Sequence, residues 1–170
     1  ILLSGHGVAL RRLGRYVEAQ NDYDQALDIQ EEFLGRDHAD IASTLNNQAN
    51  ISLYLGDYSL ARRAHERALA IRIKHFGSDH EWVGETRNNL SSVLGYMGEY
   101  DESLEEQELA LEIFKKQLGP DHIRTIYAEM NLGIVYHDMG ALGDAILVFE
   151  KMLADIQSRA GQSHVQMSYL

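Results

Sequence analysis

The sequence predicts an all-α fold, a solenoid of stacked helical hairpins, on three observations. The first is a repeat. The segments LGRYVEAQNDYDQAL (13–27), LGDYSLARRAHERAL (55–69), MGEYDESLEEQELAL (97–111) and MGALGDAILVFEKML (139–153) each begin 42 residues after the one before, without an insertion. A fixed period of this length is the mark of a repeat architecture, in which each unit buries its apolar face against its neighbours. The second is apolar spacing that follows a helix and shows no strand-like alternation. The third is punctuation: one proline, Pro120, in 170 residues, and glycines in register at Gly14, Gly56, Gly98 and Gly140 and again at Gly35, Gly77, Gly119 and Gly161.

Each unit reads as two helices. In the second, residues from about Ile41 to Leu55 place Leu45, Ala49, Ser52 and Leu53 at i, i+4, i+7 and i+8, one face of a helix. Gly56 follows and supplies the left-handed residue that ends a helix at low cost. A longer helix, from about Tyr58 to His75, repeats the spacing with Ala61, Ala68, Leu69 and Ile71, and Gly77 closes it. Asp79 or His80 is then placed to cap the next helix. The units divide the chain at about 1–38, 39–80, 81–122 and 123–164, one array over 1–170 in which 165–170 begin a truncated fifth repeat. Small residues recur where the two helices of a unit should touch: Gly7, Ala49, Ser91 and Gly133 in the first, Ala19, Ala61, Ser103 and Ala145 in the second. Helix axes come within about 8–10 Å only where the contact residues allow it.

Composition narrows the function. A hydrophobic content of 45% and a charged content of 24% suit a folded, soluble chain, and no apolar run approaches the ~20 residues of a membrane span. A formal net charge of −11 opposes docking on phosphate backbones, so nucleic acid is not expected as a partner, and neither is a membrane. No cysteine is present, which rules out disulfides and fits a cytoplasmic location. The first residue is Ile1 rather than Met, and the chain is expected to be a piece of a longer protein.

The pattern [LM]-G-x-[YL]-x-x-[AS] followed by Ala-Leu resembles the tetratricopeptide repeat. The 42-residue period, the loops LGRDH and LGPDH, and the helix openings TLNN and TRNN are similar to the variant found in kinesin light chains. The resemblance runs from about Leu2 to His164. It implies a right-handed superhelix whose first helices line a concave groove, and a non-catalytic scaffold that binds other proteins.

On that geometry three asparagines in TLNNQANISLYLGDY (44–58) acquire a purpose. With Ala49 turned toward the second helix, Ser43, Asn47, Asn50 and Tyr54 form the opposite stripe, matched by Glu85, Asn89, Ser92 and Tyr96 and by Tyr127, Asn131, Ile134 and Asp138. The resemblance makes this stripe the groove wall. Asn47, Asn89 and Asn131 then form a ladder flanked by Asn46 and Asn88. A primary amide donates and accepts at once, so it can hold a peptide backbone irrespective of side chain, while Tyr54, Tyr96 and Tyr127 are available as anchors. The candidate peptide-binding residues are therefore Asn46, Asn47, Asn50, Tyr54, Asn88, Asn89, Ser92, Tyr96, Tyr127, Asn131 and Asp138. The alternative is that the amides bond the neighbouring repeat and hold the stack together, with the tyrosines packed in the core.

Partner chemistry can be narrowed by position. Family members that clamp the carboxylate tails of heat-shock chaperones carry Lys or Arg where this chain has Ser4, Asn46, Asn88 and Met130, and Val8, Asn50, Ser92 and Ile134, none of them basic. Only Arg11, Arg12 and Arg87 are basic groove candidates, against Glu85 and Asp138, so a neutral or mildly basic peptide is favoured over an acidic one. The acidic run DESLEEQELALE (101–112) belongs to a second helix and is expected to be a solvated outer face. His38, His80, His122 and His164 recur once per unit, too far apart to share an ion, and are expected to pack or cap loops; no metal and no cofactor is implied. No phosphate-binding loop or nucleophile elbow occurs, so the chain is not expected to be an enzyme. Besides the peptide-binding adaptor, two roles remain open: a sensor or autoinhibitory arm of a multidomain signalling NTPase, and self-association through the open solenoid ends, near Leu2, Leu3, Val165, Met167 and Leu170.

Overall fold

The computed structural model describes the chain over residues 2–167, with side chains to residue 158. Eight helices make up the described residues: α1 (Leu2–Arg12), α2 (Tyr16–Leu34), α3 (Ala39–Leu55), α4 (Tyr58–Phe76), α5 (Glu81–Met97), α6 (Tyr100–Leu118), α7 (Ile123–Asp138) and α8 (Leu142–Met167). No strand occurs among them. Short and long helices alternate, as the apolar spacing predicts.

Local chemistry sets the boundaries. Each first helix after α1 starts at a histidine: the Nδ1 atoms of His38, His80 and His122 accept from the backbone N–H of Asp40, Trp82 and Arg124, each at 3.2 Å. Of the two cap candidates in the second loop, His80 caps, while Asp79 bonds the Lys116 ammonium. His164 lies outside the described side chains. The inner turn ends at Gly56 in the left-handed region (φ 80°, ψ 6°), where its N–H reaches back to Leu53 and Ser52. The outer loop needs a different glycine geometry. Gly77 has φ 83° and ψ 163°, a region that a Cβ effectively closes. Gly161 shares Gly77's register yet lies inside α8, which runs on to Met167. Among the described residues no later helix packs back against α8 to impose the break.

The helices form two layers. Each touches the next in sequence, and α1, α3, α5 and α7 also touch one another in succession, whereas the backbones of α2, α4, α6 and α8 stay apart and these helices meet only through long side chains. The layer of first helices is therefore the tighter one, and the array curves toward it. The small residues sit at the hairpin contacts and are buried. Their sizes match what they face: a methyl on Gly7 would stand 2.9 Å from the Tyr23 ring, and one on Gly133 would stand 2.7 Å from the Phe149 ring. In the third unit two serines meet, with Ser91 and Ser103 hydroxyls 3.0 Å apart and Ser103 donating to the Ser91 carbonyl at 2.8 Å.

Ion pairs staple neighbouring units on the outer side. Arg62 reaches Glu66, Glu99 and Glu102, and Arg67 reaches Glu31. Glu102 and Glu106 of the acidic run are thus engaged, by Arg62 and Arg87, while Asp101 and Glu105 are exposed. At one end Leu2 is exposed and Leu3 half-buried; Val165, Met167 and Leu170 lie outside the described side chains. Leu142, Ile146, Leu153 and Ile156 form an exposed apolar stripe on α8.

Candidate functional site

The asparagines face one another across successive first helices. Asn89 on α5 donates from Nδ2 to Oδ1 of Asn46 on α3 at 3.2 Å, and Asn131 on α7 donates to Oδ1 of Asn88 on α5 at 3.0 Å. Asn88 Oδ1 accepts a second bond, from Gln107 Nε2 at 3.1 Å, and that amide also donates to the Ala128 carbonyl at 2.8 Å. The ladder is therefore partly engaged by the protein itself. Asn46 is buried, Asn88, Asn89 and Asn131 are half-buried, and each inter-helix bond uses one donor and one acceptor of groups that have several. Asn47 differs: its side chain makes no hydrogen bond among the described residues, and Ser4, the residue at Asn46's place one unit earlier, has a buried hydroxyl with no partner.

Below this ladder, toward the inner turns, lies a cleft of about 710 Å³. Of the candidate residues it gathers Asn50 and Tyr54 from α3, Ser92 and Tyr96 from α5, and Asn131 and Asp138 from α7. Asn46, Asn47, Asn88, Asn89 and Tyr127 do not line it. Tyr127 lies nearer the start of α7 with 56% of its surface exposed. The other two tyrosines are exposed as well but have ring partners: Tyr54 stacks on Tyr16 at 4.9 Å and 7°, and Tyr96 on Tyr58 at 5.6 Å and 12°. They are neither core residues nor free rings. Each presents one face to a second-helix tyrosine and leaves the rest open.

Several cleft residues escaped the sequence reading. Tyr58 and Tyr100 open second helices, yet both reach the cleft because the inner turn brings the start of each second helix beside the end of its first. Their signal was present as Tyr16, Tyr58 and Tyr100 at the 42-residue period, the [YL] place of the repeat pattern. Gln107, fully buried, lines the cleft too, and its Oε1 has no partner. No periodic signal marked it, since the same place holds Tyr23, His65 and Phe149 in the other units.

Two of the basic and acidic groove candidates are neutralised in place. Arg87 pairs with Glu106 at 2.6 Å, and Glu85 contacts Arg72 at 3.3 Å. Arg72 is itself buried, donating to the Trp82 carbonyl and the Thr86 hydroxyl at 2.7 Å each, and burial lowers its pKa from the usual arginine value. That leaves Arg11 and Asp138 as the charged residues lining the cleft, with no ion pair between them. Among the described residues no group of three His, Asp or Glu side chains is arranged to hold a metal ion, and no helix is long and apolar enough to cross a membrane.

A two-layered helical array with an inner cleft defines a helical-repeat scaffold. The chain belongs to the tetratricopeptide repeat family, whose model matches residues 1–74, 40–105 and 82–158. Proteins built from this repeat are generally non-catalytic and act through contacts with other proteins. Among solved structures, the chain is similar to a protein of Podosopora anserina with nearly identical TPR-like repeats, described as a candidate kinesin light chain (22% identity, TM-score 0.83, 92% of this chain and 74% of that one). It is also similar to BtubC (BKLC) from P. vanneervenii (24% identity, TM-score 0.85, 94% and 63%) and to the apo form of RapI (18%, TM-score 0.77, 95% and 57%). At these identities the likeness is one of fold, and the chain spans a little over half to about three-quarters of those proteins. No match to a curated protein sequence was found.

Proposed function

We propose that this array is a peptide-binding module, an adaptor whose inner cleft holds an extended segment of a partner protein. The observation that carries this reading is the cleft itself: three first helices contribute an amide or hydroxyl and an aromatic or acidic side chain to one concave volume. Such a volume is large enough for several peptide residues, and polar side chains from three successive first helices converge on it. The asparagines serve both purposes in this reading. Their mutual bonds fix the spacing of α3, α5 and α7, and the unused amide atoms of Asn50 and Asn131 in the cleft meet the backbone of the segment, which runs on past the cleft to the unengaged Asn47. Each such bond contributes a net ~0.5–1.5 kcal/mol, so tight binding requires the tyrosines as anchors.

The charge pattern supports a neutral or mildly basic segment. Arg87 is held by Glu106, which leaves Arg11 as the one cation among the described residues that lines the cleft, while exposed Arg12 lies outside it. Affinity capture with mass spectrometry tests the reading, comparing the wild type with the Asn47→Ala, Asn89→Ala, Asn131→Ala triple variant. Retention of a partner by the wild type and its loss from a variant that melts alike supports the ladder as part of the site. Retention of every partner by the variant would place binding on another face.

A further inference from the structure

The inner rim of the cleft carries a repeating aromatic pair that is left incomplete once. Tyr16 and Tyr54 stand 38 positions apart and stack; Tyr58 and Tyr96 stand 38 positions apart and stack. The next pair in the series is Tyr100 and residue 138, which is Asp138. Tyr100 is accordingly more exposed than Tyr16 or Tyr58, and it lines the cleft together with Asp138. The third seat therefore has the tyrosine that supplies one ring face and, in place of the second ring, a carboxylate.

Resting on the reading of the cleft as a peptide groove, we infer that this seat selects an arginine side chain of the bound segment. The guanidinium plane takes the position that Tyr54 and Tyr96 fill in the earlier pairs, flat against the Tyr100 ring, and its N–H groups meet Asp138. A planar, weakly hydrated cation satisfies a ring face and a carboxylate together; a lysine ammonium satisfies the charge but not the stack.

Three further facts point the same way. Asp138 is the last residue of α7, where the helix dipole disfavours a negative charge, so its position does not serve the stability of its own helix. Its Oδ1 contacts the neighbouring His137 Nδ1 at 2.9 Å, and its other oxygen is unengaged. Arg11, the other charged residue lining the cleft, stands on α1 at the far end of the row of first helices and makes no ion pair with it.

The test is selection of random decapeptides displayed on phage, against the wild type and against Asp138→Asn, Asp138→Tyr and Tyr100→Ala, after thermal melts show that all four fold. Asp138→Tyr restores the pattern of the other two pairs and closes the seat. The expected result is a wild-type consensus with arginine at one fixed position. Synthetic peptides of that consensus should bind Asp138→Asn and Tyr100→Ala each about two- to fivefold more weakly, the scale of an exposed ion pair for the first and of a cation–π contact for the second. Asp138→Tyr should still select peptides but without the arginine. A consensus with no fixed arginine, or one in which lysine serves equally, overturns the seat and leaves the groove reading standing. An arginine preference unchanged in Asp138→Tyr overturns the seat as well. Failure to enrich any peptide overturns the groove reading and the seat with it.

Discussion

Asn88 and Asn47 both belong to the asparagine set, yet the structure gives them opposite energetic weights. Asn88 Oδ1 accepts from Asn131 and from Gln107, while the Asn47 side chain bonds nothing among the described residues. Asn88→Ala removes two hydrogen bonds at a net ~0.5–1.5 kcal/mol each. The loss is moderated because Gln107 keeps the Ala128 carbonyl, half-buried Asn131 can turn to water, and alanine is the better helix former by about 0.5 kcal/mol. A net destabilisation of about 1–2 kcal/mol remains. Asn47→Ala loses no bond and gains the same propensity, so it is neutral or stabilising by about 0.5 kcal/mol. For a chain of this size each kcal/mol moves the melting midpoint by about 2–4 °C. Urea and thermal melts of the two single variants should therefore differ by about 1–2.5 kcal/mol, with Asn88→Ala the weaker. Equal destabilisation by both, or a weaker Asn47→Ala, would refute the assignment of the ladder bonds. The same pair separates stacking from binding, because Asn47→Ala perturbs the proposed site without a cost to the fold.

Two further outcomes follow from the buried contacts. His65 is fully buried, neither ring nitrogen has a partner, and burial together with the nearby Arg72 charge holds its pKa at about 3, below the ordinary value of 6.5. Between those values the unfolded chain binds a proton that the native chain does not, so stability is complete above about pH 6.5 and falls as pH drops toward 3, by up to about 1.4 kcal/mol per pH unit from this group. His65→Gln, which copies the Gln107 of the third unit, should flatten the acid limb of stability against pH in urea titrations, and parallel limbs would contradict the assignment. At Gly133 an added methyl overlaps the Phe149 ring at 2.7 Å, whereas at Gly143 it meets open space. Overpacking of about 1–3 kcal/mol outweighs the ~1 kcal/mol gain in helix propensity at Gly133. Thermal melts should show Gly133→Ala lowered and Gly143→Ala unchanged or raised, and the reverse order would refute the contact.

The sequence alone determined that the chain is a repeated helical hairpin, because period, helix punctuation and small contact residues are all local signals. Gly56 and Gly77 end helices for reasons internal to the backbone, and the Tyr58 helix begins where the spacing says it does. The face carrying Asn50, Tyr54 and Tyr96 was legible too, since a helix places i, i+4 and i+7 together whatever surrounds it.

The tertiary structure decided what those side chains touch. Two consecutive asparagines, such as Asn46 and Asn47 or Asn88 and Asn89, look alike as sequence. Which one bridges, and to which neighbour, depends on the offset between adjacent first helices, set by packing between units. Tyr100 was indistinguishable from Tyr58 in the repeat, and Arg87 looked like a groove cation until Glu106 stood beside it. Pairings across 19 to 43 positions are fixed only when the hairpins stack, which is why the fold could be read along the chain and the contents of the cleft could not.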